Sequence, residues 1–256
     1  MSNQLPGPLP GPLRLQARVS VIIPVYQENN LKAFIQKLTE QYYPEKDLWV
    51  VDGDPRGGSL SALRPLQSSL NTLHLLVSPQ PGRAAQMNAA AQHAQGDILL
   101  FLHADTQLSP DALDQIVNAL QANPLAVGGA FDLGIDHPRP IYRWIESLSS
   151  WRSRFTGIPY GDQALFFRRS AFLEWGGFPV LPLMEDLALG RFLNRHRQPR
   201  IFISQRAMTS PRRWEKEGWA YTTLRNWTLA SLFLLGVPAH RLTHFYPLHA
   251  FRRRKP

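Results

Sequence analysis

Two carboxylates stand side by side at Glu185 and Asp186, where a segment with helical spacing begins. Adjacent side chains at the start of a helix point in different directions. One can therefore face a pocket as a general base while its neighbour is held by structural donors. A solvated acidic first turn that complements the helix dipole has the same sequence. The pair is thus a candidate catalytic site whose other members must come from elsewhere in the chain.

A second candidate site is His103-Ala-Asp105-Thr, directly after the apolar run Ile98-Leu-Leu-Phe-Leu102. A carboxylate at the end of a strand is well placed to hold a hard divalent cation that bridges substrate phosphates. One carboxylate is a weak metal site, so phosphates would have to supply other ligands, with His103 as a softer one. The structural alternative is a turn in which Asp105 satisfies backbone donors.

Two further segments suit ligand recognition. Asp52 opens the Asp-Gly-Asp-Pro-Arg-Gly-Gly-Ser59 segment, where a carboxylate can accept hydrogen bonds from a base or ribose and glycines allow close backbone approach. Arg83 and Asn88 lie one to two turns apart and suit anion or amide recognition. No Gly-x-Gly-x-x-Gly motif follows the first strand and no P-loop is present, so the motif-based dinucleotide and P-loop classes are disfavoured.

The elements that position these residues alternate regularly through residue 122. Apolar and β-branched runs predict strands, and apolar residues at helical spacing predict helices between them. This order predicts an α/β fold with a mostly parallel sheet, in which ligands gather at the carboxyl ends of the strands. After residue 125 the alternation breaks down. The predicted strands are 19–23, 48–51, 73–77 and 98–102, and the predicted helices are 31–38, 84–94 and 111–120.

Composition and charge narrow the class of protein. The chain has 256 residues and no cysteine, which excludes a disulfide scaffold and thiolate zinc. Residues 1–190 carry 14 basic and 17 acidic side chains, a net charge of −3, whereas residues 191–256 carry 14 and 2, a net charge of +12. Such asymmetry usually indicates a polyanionic partner, namely nucleic acid, anionic lipid or a diphosphate.

The C-terminal quarter combines this charge with the most apolar stretch of the chain, residues 219–237. Arg225 and Asn226 interrupt the stretch, and what remains is shorter than the ~20 residues of a membrane-spanning helix. We predict a helix lying in the plane of an anionic membrane surface, with a buried helix and a solvated basic tail as the alternative. The aromatics do not alternate with arginine as a nucleic-acid stacking platform requires, so nucleic acid is disfavoured.

Three regions follow from these patterns. We expect residues 1–17 to be a disordered Pro/Gly-rich tail, residues 18–210 to be the α/β domain, and residues 211–256 to be a helical, basic region that associates with a membrane. No export signal is apparent at the N-terminus, which predicts a cytoplasmic protein or a peripheral one on the inner face of the cell membrane.

Taken in order, these residues resemble a family 2 glycosyltransferase of the nucleotide-sugar (GT-A) fold, from about residue 19 to residue 246. The opening strand resembles the donor-binding strand of that family, which implies donor contacts by Pro24, Tyr26 and Glu28. The resemblance also implies that Asp52 contacts the uracil. The remaining donor-binding positions that it implies are Arg83, Asn88, His103, Ala104 and Asp162.

The resemblance extends to catalysis. Asp105 matches the last, metal-binding aspartate of the Asp-x-Asp motif, which implies Mg²⁺ or Mn²⁺, and Asp186 beside Glu185 matches the catalytic base. His103 departs from the motif by replacing its first acid. The Gln-x-x-Arg-Trp motif of processive synthases is missing, with only Pro211-Arg-Arg-Trp214 in its vicinity, so polymer synthesis is disfavoured. Several segments also resemble a small bacterial subgroup associated with arsenosugar biosynthesis genes.

The expected function is inverting transfer of a sugar from a nucleoside-diphosphate sugar, with UDP as the expected nucleotide, to the hydroxyl of a small or lipid-like acceptor. Two alternatives remain at this stage. One is a non-catalytic membrane-surface protein that retains the nucleotide-sugar fold. The other is a nucleotidyltransferase, which would need an acceptor phosphate in place of the late Glu-Asp base.

Overall fold

The computed structural model describes residue 13 and residues 16–28, 30–39 and 43–246. The described chain contains these strands: β1 Val19–Val25, β2 Lys46–Asp52, β3 Leu73–Val77, β4 Ile98–Phe101, β5 Thr106–Gln107, β6 Gly128–Ile135, β7 Leu165–Arg168 and β8 Arg200–Thr209. Its α-helices are α1 Leu31–Thr39, α2 Arg64–Ser69, α3 Arg83–His93, α4 Ala112–Ala122, α5 Pro140–Thr156, α6 Arg169–Glu174, α7 Glu185–Arg195, α8 Arg212–Glu217, α9 Trp219–Leu234 and α10 Ala239–Leu242.

The strands of the described chain form one sheet in the order β3-β2-β1-β4-β7-β6-β8-β5. The strands β3, β2, β1 and β4 pair in parallel, and β6 pairs in parallel with β8. In contrast, β7 runs antiparallel to both β4 and β6, and β5 is antiparallel to β8. The predicted α/β fold with a mostly parallel sheet is therefore confirmed, and β7 and β5 are its antiparallel members.

Apolar layers cover both faces of the sheet. Within β1, Val19, Val21 and Ile23 pack with α1 and α4 on one face, whereas Ile22 packs with α3 and α6 on the other. The period of two in a strand buried on both sides produces the continuous β-branched run seen in the sequence. Because helices cover both faces of the central strands, the carboxyl ends of these strands are where a ligand can enter.

The alternation of strands and helices ends after residue 125 because β7 enters the sheet antiparallel, between β4 and β6. Gly128 and Gly129 of β6 allow this close packing. A Cβ on Gly128 would collide with the Phe166 carbonyl oxygen, and one on Gly129 with the Ile201 carbonyl oxygen. The long helix α5 then follows β6 and packs against it.

The helices α8, α9 and α10 follow β8, and a 3₁₀ turn at Thr243–Phe245 follows α10. Helix α9 packs Leu229 and Ala230 against Ile158, Leu183 and Leu187. No helix within the described residues combines the length and the apolar character needed to cross a membrane. Most of the predicted N-terminal tail and the basic run 252–255 lie outside the described residues.

A buried arginine ties the middle of the sheet to α4. Arg168, at the end of β7, has 2% of its surface exposed and donates from Nε to the Ala126 carbonyl at 2.8 Å and from Nη2 to the Leu120 carbonyl at 2.8 Å. We expect Arg168→Met to lower the free energy of unfolding by about 3 kcal/mol, because it leaves buried carbonyl groups without donors. Urea unfolding followed by tryptophan fluorescence measures this. The exposed Arg195→Met is the matched control, and an equal loss in both variants would contradict the assignment.

Candidate active site

A cavity of about 430 Å³ opens where the loops after β1 and β4 meet the helices α7, α8 and α9. Its position at the carboxyl ends of parallel strands is where ligands bind in open α/β sheets. Six of the predicted site residues line it, and they come from five separate segments of the chain: Glu28, Arg83, His103, Asp105, Asp162 and Asp186.

The adjacent acids Glu185 and Asp186 point in different directions at the start of α7. Asp186 lines the main cavity, where its Oδ2 accepts a hydrogen bond from the Gly161 backbone N–H at 2.7 Å and its Oδ1 accepts one from Leu187 at 2.8 Å. Glu185 is 3% exposed and forms an ion pair with Arg83. The structure therefore separates one acid that faces the cavity from one that anchors a cation.

Arg83 connects this acid to the loop after β4. Its Nε donates to Glu185 Oε1, and its Nη1 lies 3.2 Å from His103 Nε2. Burial, together with the positive charges of Arg83 and Arg213, lowers the pKa of His103 to about 3, so the imidazole is neutral at physiological pH. A neutral His103 can accept the Arg83 N–H, and the three side chains form one hydrogen-bonded row.

Two carboxylates of the cavity, Asp186 and Asp162, are held in an environment that disfavours their charge. Burial, and then the neighbouring charge of Glu185, raise the pKa of Asp186 to about 6, against the opposing effects of Arg83 and the two backbone donors. Burial also raises the pKa of Asp162, although Arg152 and Arg213 oppose this shift. A carboxylate with a pKa near 6 is suited to take a proton near neutral pH.

Asp105 is the predicted metal ligand of the cavity. Asp105 is exposed in the cavity, whereas the Nε2 atom of His103 already faces Arg83. Across the described residues there is no cluster of three or more His, Asp or Glu side chains that could hold a metal ion. A single carboxylate completed by substrate phosphates and water fits the way Mg²⁺ is commonly bound, so Asp105 is compatible with such an ion.

The loops after β1 and β2 form a joint wall beside Glu28. Both carboxylate oxygens of the buried Asp52 accept backbone N–H groups, from Asp54 and from Ser59, each at 2.9 Å. The Glu28 N–H lies 3.3 Å from Ser59 Oγ, which links the two loops. The Asp52 carboxylate thus shapes the wall, and its direct contact with a nucleobase stays a prediction.

Asn88 is also occupied within the protein. Its side-chain amide donates to the Phe178 carbonyl at 2.7 Å and accepts the Phe178 N–H at 2.9 Å, which fixes the turn after Gly176 and Gly177. Six predicted site residues are not among the described residues that line the main cavity: Pro24, Tyr26, Asp52, Asn88, Ala104 and Glu185. Their direct contacts with the sugar donor or with the reacting atoms stay predictions.

Part of the cavity wall consists of residues that the sequence patterns did not predict as site residues. Arg213 lines the cavity, donates to the Tyr246 hydroxyl group and lies with its guanidinium 5.3 Å from the centre of the Tyr246 ring. Tyr160, which also lines the cavity, stacks under the Arg152 guanidinium at 3.4 Å. The Pro211-Arg-Arg-Trp214 segment was the sequence signal for part of this wall. The other unassigned lining residues of α8 and α9 include Arg212, Trp214, Lys216, Glu217 and Asn226.

The cavity lies at the strand ends of an open α/β sheet, and comparison with known families identifies the class of protein. The model of the family "Glycosyl transferase family 2" matches residues 20–175, and the chain belongs to this family. The dolichol-phosphate mannosyltransferase of Saccharomyces cerevisiae is 26% identical over 139 residues, which cover 51% of this chain and 52% of that protein. An undecaprenyl-phosphate 4-deoxy-4-formamido-L-arabinose transferase from Aeromonas hydrophila is 28% identical over 116 residues, or 43% of this chain and 36% of that protein.

Solved structures share the fold. The mannosyltransferase PcManGT of Pyrobaculum calidifontis, in complex with GDP-Man and Mn²⁺, superposes with a TM-score of 0.60 at 24% identity, covering 88% of this chain and 64% of that one. Residues 1–349 of TarS from S. aureus, in complex with UDP-GlcNAc, superpose with a TM-score of 0.60 at 16% identity, covering 89% and 70%. This chain thus spans about half or less of the two curated relatives named above.

Proposed function

We propose that this protein is an inverting glycosyltransferase that moves a sugar from a nucleoside-diphosphate sugar to an acceptor hydroxyl group. The observation that carries the proposal is the separation of the two acids, because Asp186 faces the cavity, whereas Glu185 is not part of the cavity lining and pairs with Arg83, which does line it. Inversion by a single displacement requires one base on the acceptor side and positive charge on the leaving-group side. Both are available in this one cavity.

Asp186 is the proposed base. Its carboxylate is oriented by the N–H groups of Gly161 and Leu187, and it takes the proton of the acceptor hydroxyl as that oxygen attacks the sugar. The nearby Asp162 is the proposed contact to the transferred sugar. A pKa raised to about 6 leaves Asp186 ionised at neutral pH while keeping it basic enough to accept a proton.

The leaving diphosphate is proposed to lie between Arg83 and Arg213. Both guanidinium groups line the cavity and lie close enough to His103 to lower its pKa. Fixed positive groups aimed at developing negative charge are an effective form of transition-state stabilisation. Asp105 would hold Mg²⁺ or Mn²⁺, an ion that supplies further positive charge to a bound diphosphate.

The nucleoside is proposed to lie against the wall formed by the loops after β1 and β2, beside Glu28. We retain UDP as the expected nucleotide and Asp52 as its expected contact, together with Pro24, Tyr26, Asn88 and Ala104 as residues that shape the donor site. The related structures hold GDP-Man and UDP-GlcNAc, so the fold itself accepts either base. Discrimination must therefore come from this wall.

The acceptor is proposed to be small or lipid-like and to enter beside α8 and α9. Both curated relatives are named for polyprenyl-phosphate substrates. Leu224 and Trp227 of helix α9 are exposed, and so are Leu234 and Leu235 at its C-terminal end. These side chains support peripheral association with the inner face of the cell membrane, and arsenosugar precursors remain a narrower class of acceptor to include in a screen.

A donor screen tests the proposed function. Purified protein is incubated with UDP-, GDP- and dTDP-sugars, with and without Mn²⁺, while donor hydrolysis and the thermal unfolding midpoint are read together. We expect one nucleotide to stabilise the protein and to be hydrolysed slowly, because ligands that bind the native state raise its stability. A protein that responds to none of these donors would not be a nucleotide-sugar transferase.

The pH dependence of transfer provides an independent prediction. The pKa of Asp186 is raised to about 6, and only its ionised form can accept a proton, so kcat/KM should rise with pH through about 6 and then level off. Initial rates between about pH 4.5 and about pH 8 measure this. A rate that does not change across this range would contradict a role for Asp186 as base.

A further inference from the structure

Helix α5 has an inverted amphipathic pattern. Its buried face carries Glu146, Ser149, Ser150 and Ser153 in addition to Tyr142 and Ile145. Its solvent face carries four large apolar side chains at positions i, i+4, i+7 and i+11: Trp144 (75% exposed), Leu148 (44%), Trp151 (61%) and Phe155 (79%). A helix that only covers the sheet would place these side chains inward. We call these four side chains the α5 stripe.

The internal contacts of α5 explain why its inner face is polar. Ser150 Oγ accepts the Leu133 N–H at 3.1 Å, and Ser153 Oγ donates to Gln163 Oε1 at 2.6 Å. Glu146 Oε1 accepts the Ile135 N–H at 2.6 Å. These bonds fasten α5 to β6 and to the turn that leads into the cavity wall. Hydrogen bonds from these side chains hold the inner face, whereas the α5 stripe faces solvent, where Trp151 and Phe155 stack on each other with ring centroids 5.3 Å apart.

The exposed charged side chains of α5 itself are basic. The only acid of α5 is Glu146, which is 1% exposed and contacts both Arg143 Nη2 at 3.0 Å and Arg206 Nη1 at 3.3 Å. Every charged side chain that α5 leaves at least partly exposed is thus an arginine, at positions 143, 152 and 154. Arg143 pairs with Glu146, Arg154 pairs with Asp132, and Arg152 stacks on Tyr160. Exposed Arg139 lies directly before the helix. Tryptophan and phenylalanine beside arginine favour an anionic membrane interface.

The size of the α5 stripe also favours a membrane over a second copy of the chain. Its exposed apolar surface is on the order of 500 Å², whereas a stable protein interface buries about 800 Å² on each partner. A bilayer has no such requirement, because side chains at several separate points can insert together. The exposed residues of α9 supply other points on the same molecule.

We propose that the α5 stripe is a docking surface for an anionic lipid bilayer. This inference extends the proposed peripheral association, since it adds a membrane contact on an element other than α9. Helix α5 also carries Arg152, which stacks on the cavity residue Tyr160. Docking through α5 therefore holds one wall of the cavity next to the lipid, where a membrane-borne acceptor would be presented.

Vesicle binding of the full chain tests the proposal. The variant Trp144→Ser/Phe155→Ser removes two highly exposed side chains that make no core contact. We expect its partition onto phosphatidylcholine vesicles with about 30% phosphatidylglycerol to fall at least about tenfold, with an unchanged thermal unfolding midpoint. The matched control is Leu125→Ser/Val180→Ser, whose wild-type side chains are 59% and 63% exposed elsewhere, and it should bind like the wild type.

Other outcomes overturn the inference in distinguishable ways. Loss of binding in Leu224→Ser/Trp227→Ser but not in the α5 variant would place the membrane contact on α9 alone and leave the proposed peripheral association intact. Wild-type protein that does not bind the vesicles would refute membrane docking by α5. If the wild type sediments as a dimer and the α5 variant as a monomer, without vesicle binding, the α5 stripe would contact a second copy. Donor hydrolysis in solution tests the transferase proposal separately.

Discussion

Asp186→Asn should lower the turnover number of sugar transfer by roughly 10²–10⁴ while leaving donor affinity largely unchanged. The amide retains the size of the carboxylate and an oxygen that can accept the Gly161 N–H, which donates to Asp186 at 2.7 Å. It cannot accept the proton of an acceptor hydroxyl group. Steady-state kinetics with a saturating donor, together with donor titration of the variant, measure the two quantities separately.

The control for this variant is Asp136→Asn, which neutralises an exposed acid outside the cavity-lining set and should leave both quantities unchanged. Asp186→Asn should also lose the dependence of kcat/KM on pH near 6, because the ionisation that causes this dependence is that of the Asp186 carboxyl group. If Asp186→Asn instead abolishes donor binding and has little effect on the turnover number at saturating donor, then Asp186 positions the loop at Gly161 and is not the base.

Asp105→Ala should remove the effect of a divalent ion on donor binding. In the wild type we expect Mn²⁺ to tighten donor binding at least about tenfold, because the ion links the Asp105 carboxylate to the diphosphate. The variant loses the proposed metal carboxylate, so its donor affinity should be the same with Mn²⁺ and with a chelator. Calorimetric titration of the donor under both conditions measures this.

The matched variant Glu28→Gln neutralises another carboxylate that lines the same cavity. It should retain the Mn²⁺ dependence even if donor binding becomes weaker overall. A wild-type protein that binds donor equally well with and without Mn²⁺ would contradict the role of Asp105. Arg83 and Arg213 would then be left to neutralise the diphosphate.

Local sequence patterns were sufficient for the first half of the fold. The β-branched run at Val19–Val25 and the apolar run at Ile98–Phe101 form central strands, because a strand covered on both faces must be apolar throughout. The helices also lie within a few residues of their predicted positions. These elements are fixed by short-range periodicity, and their alternation leads to a parallel sheet with its ligand site at the strand ends.

The arrangement of the elements after residue 125 could not be predicted from local sequence patterns. Strand β7 lies antiparallel between β4 and β6, which depends on pairings across tens of residues and on the close approach that Gly128 and Gly129 allow. The pattern of α5 would have been misleading, since its apolar side chains face outward and its serines face inward. Periodicity shows that a helix has two faces, but only packing decides which one is buried.

The site divides in the same manner. Residue types and the strand pattern predicted which side chains could do chemistry, and that Asp105, Arg83 and Glu28 follow strands whose carboxyl ends meet at one end of the sheet. The direction of each side chain did not follow from the pattern: Asp186 faces the cavity while Glu185 pairs with Arg83, and Arg213 and Tyr160 complete the wall. Side-chain orientation, burial and charge coupling are set by contacts between residues far apart in the chain.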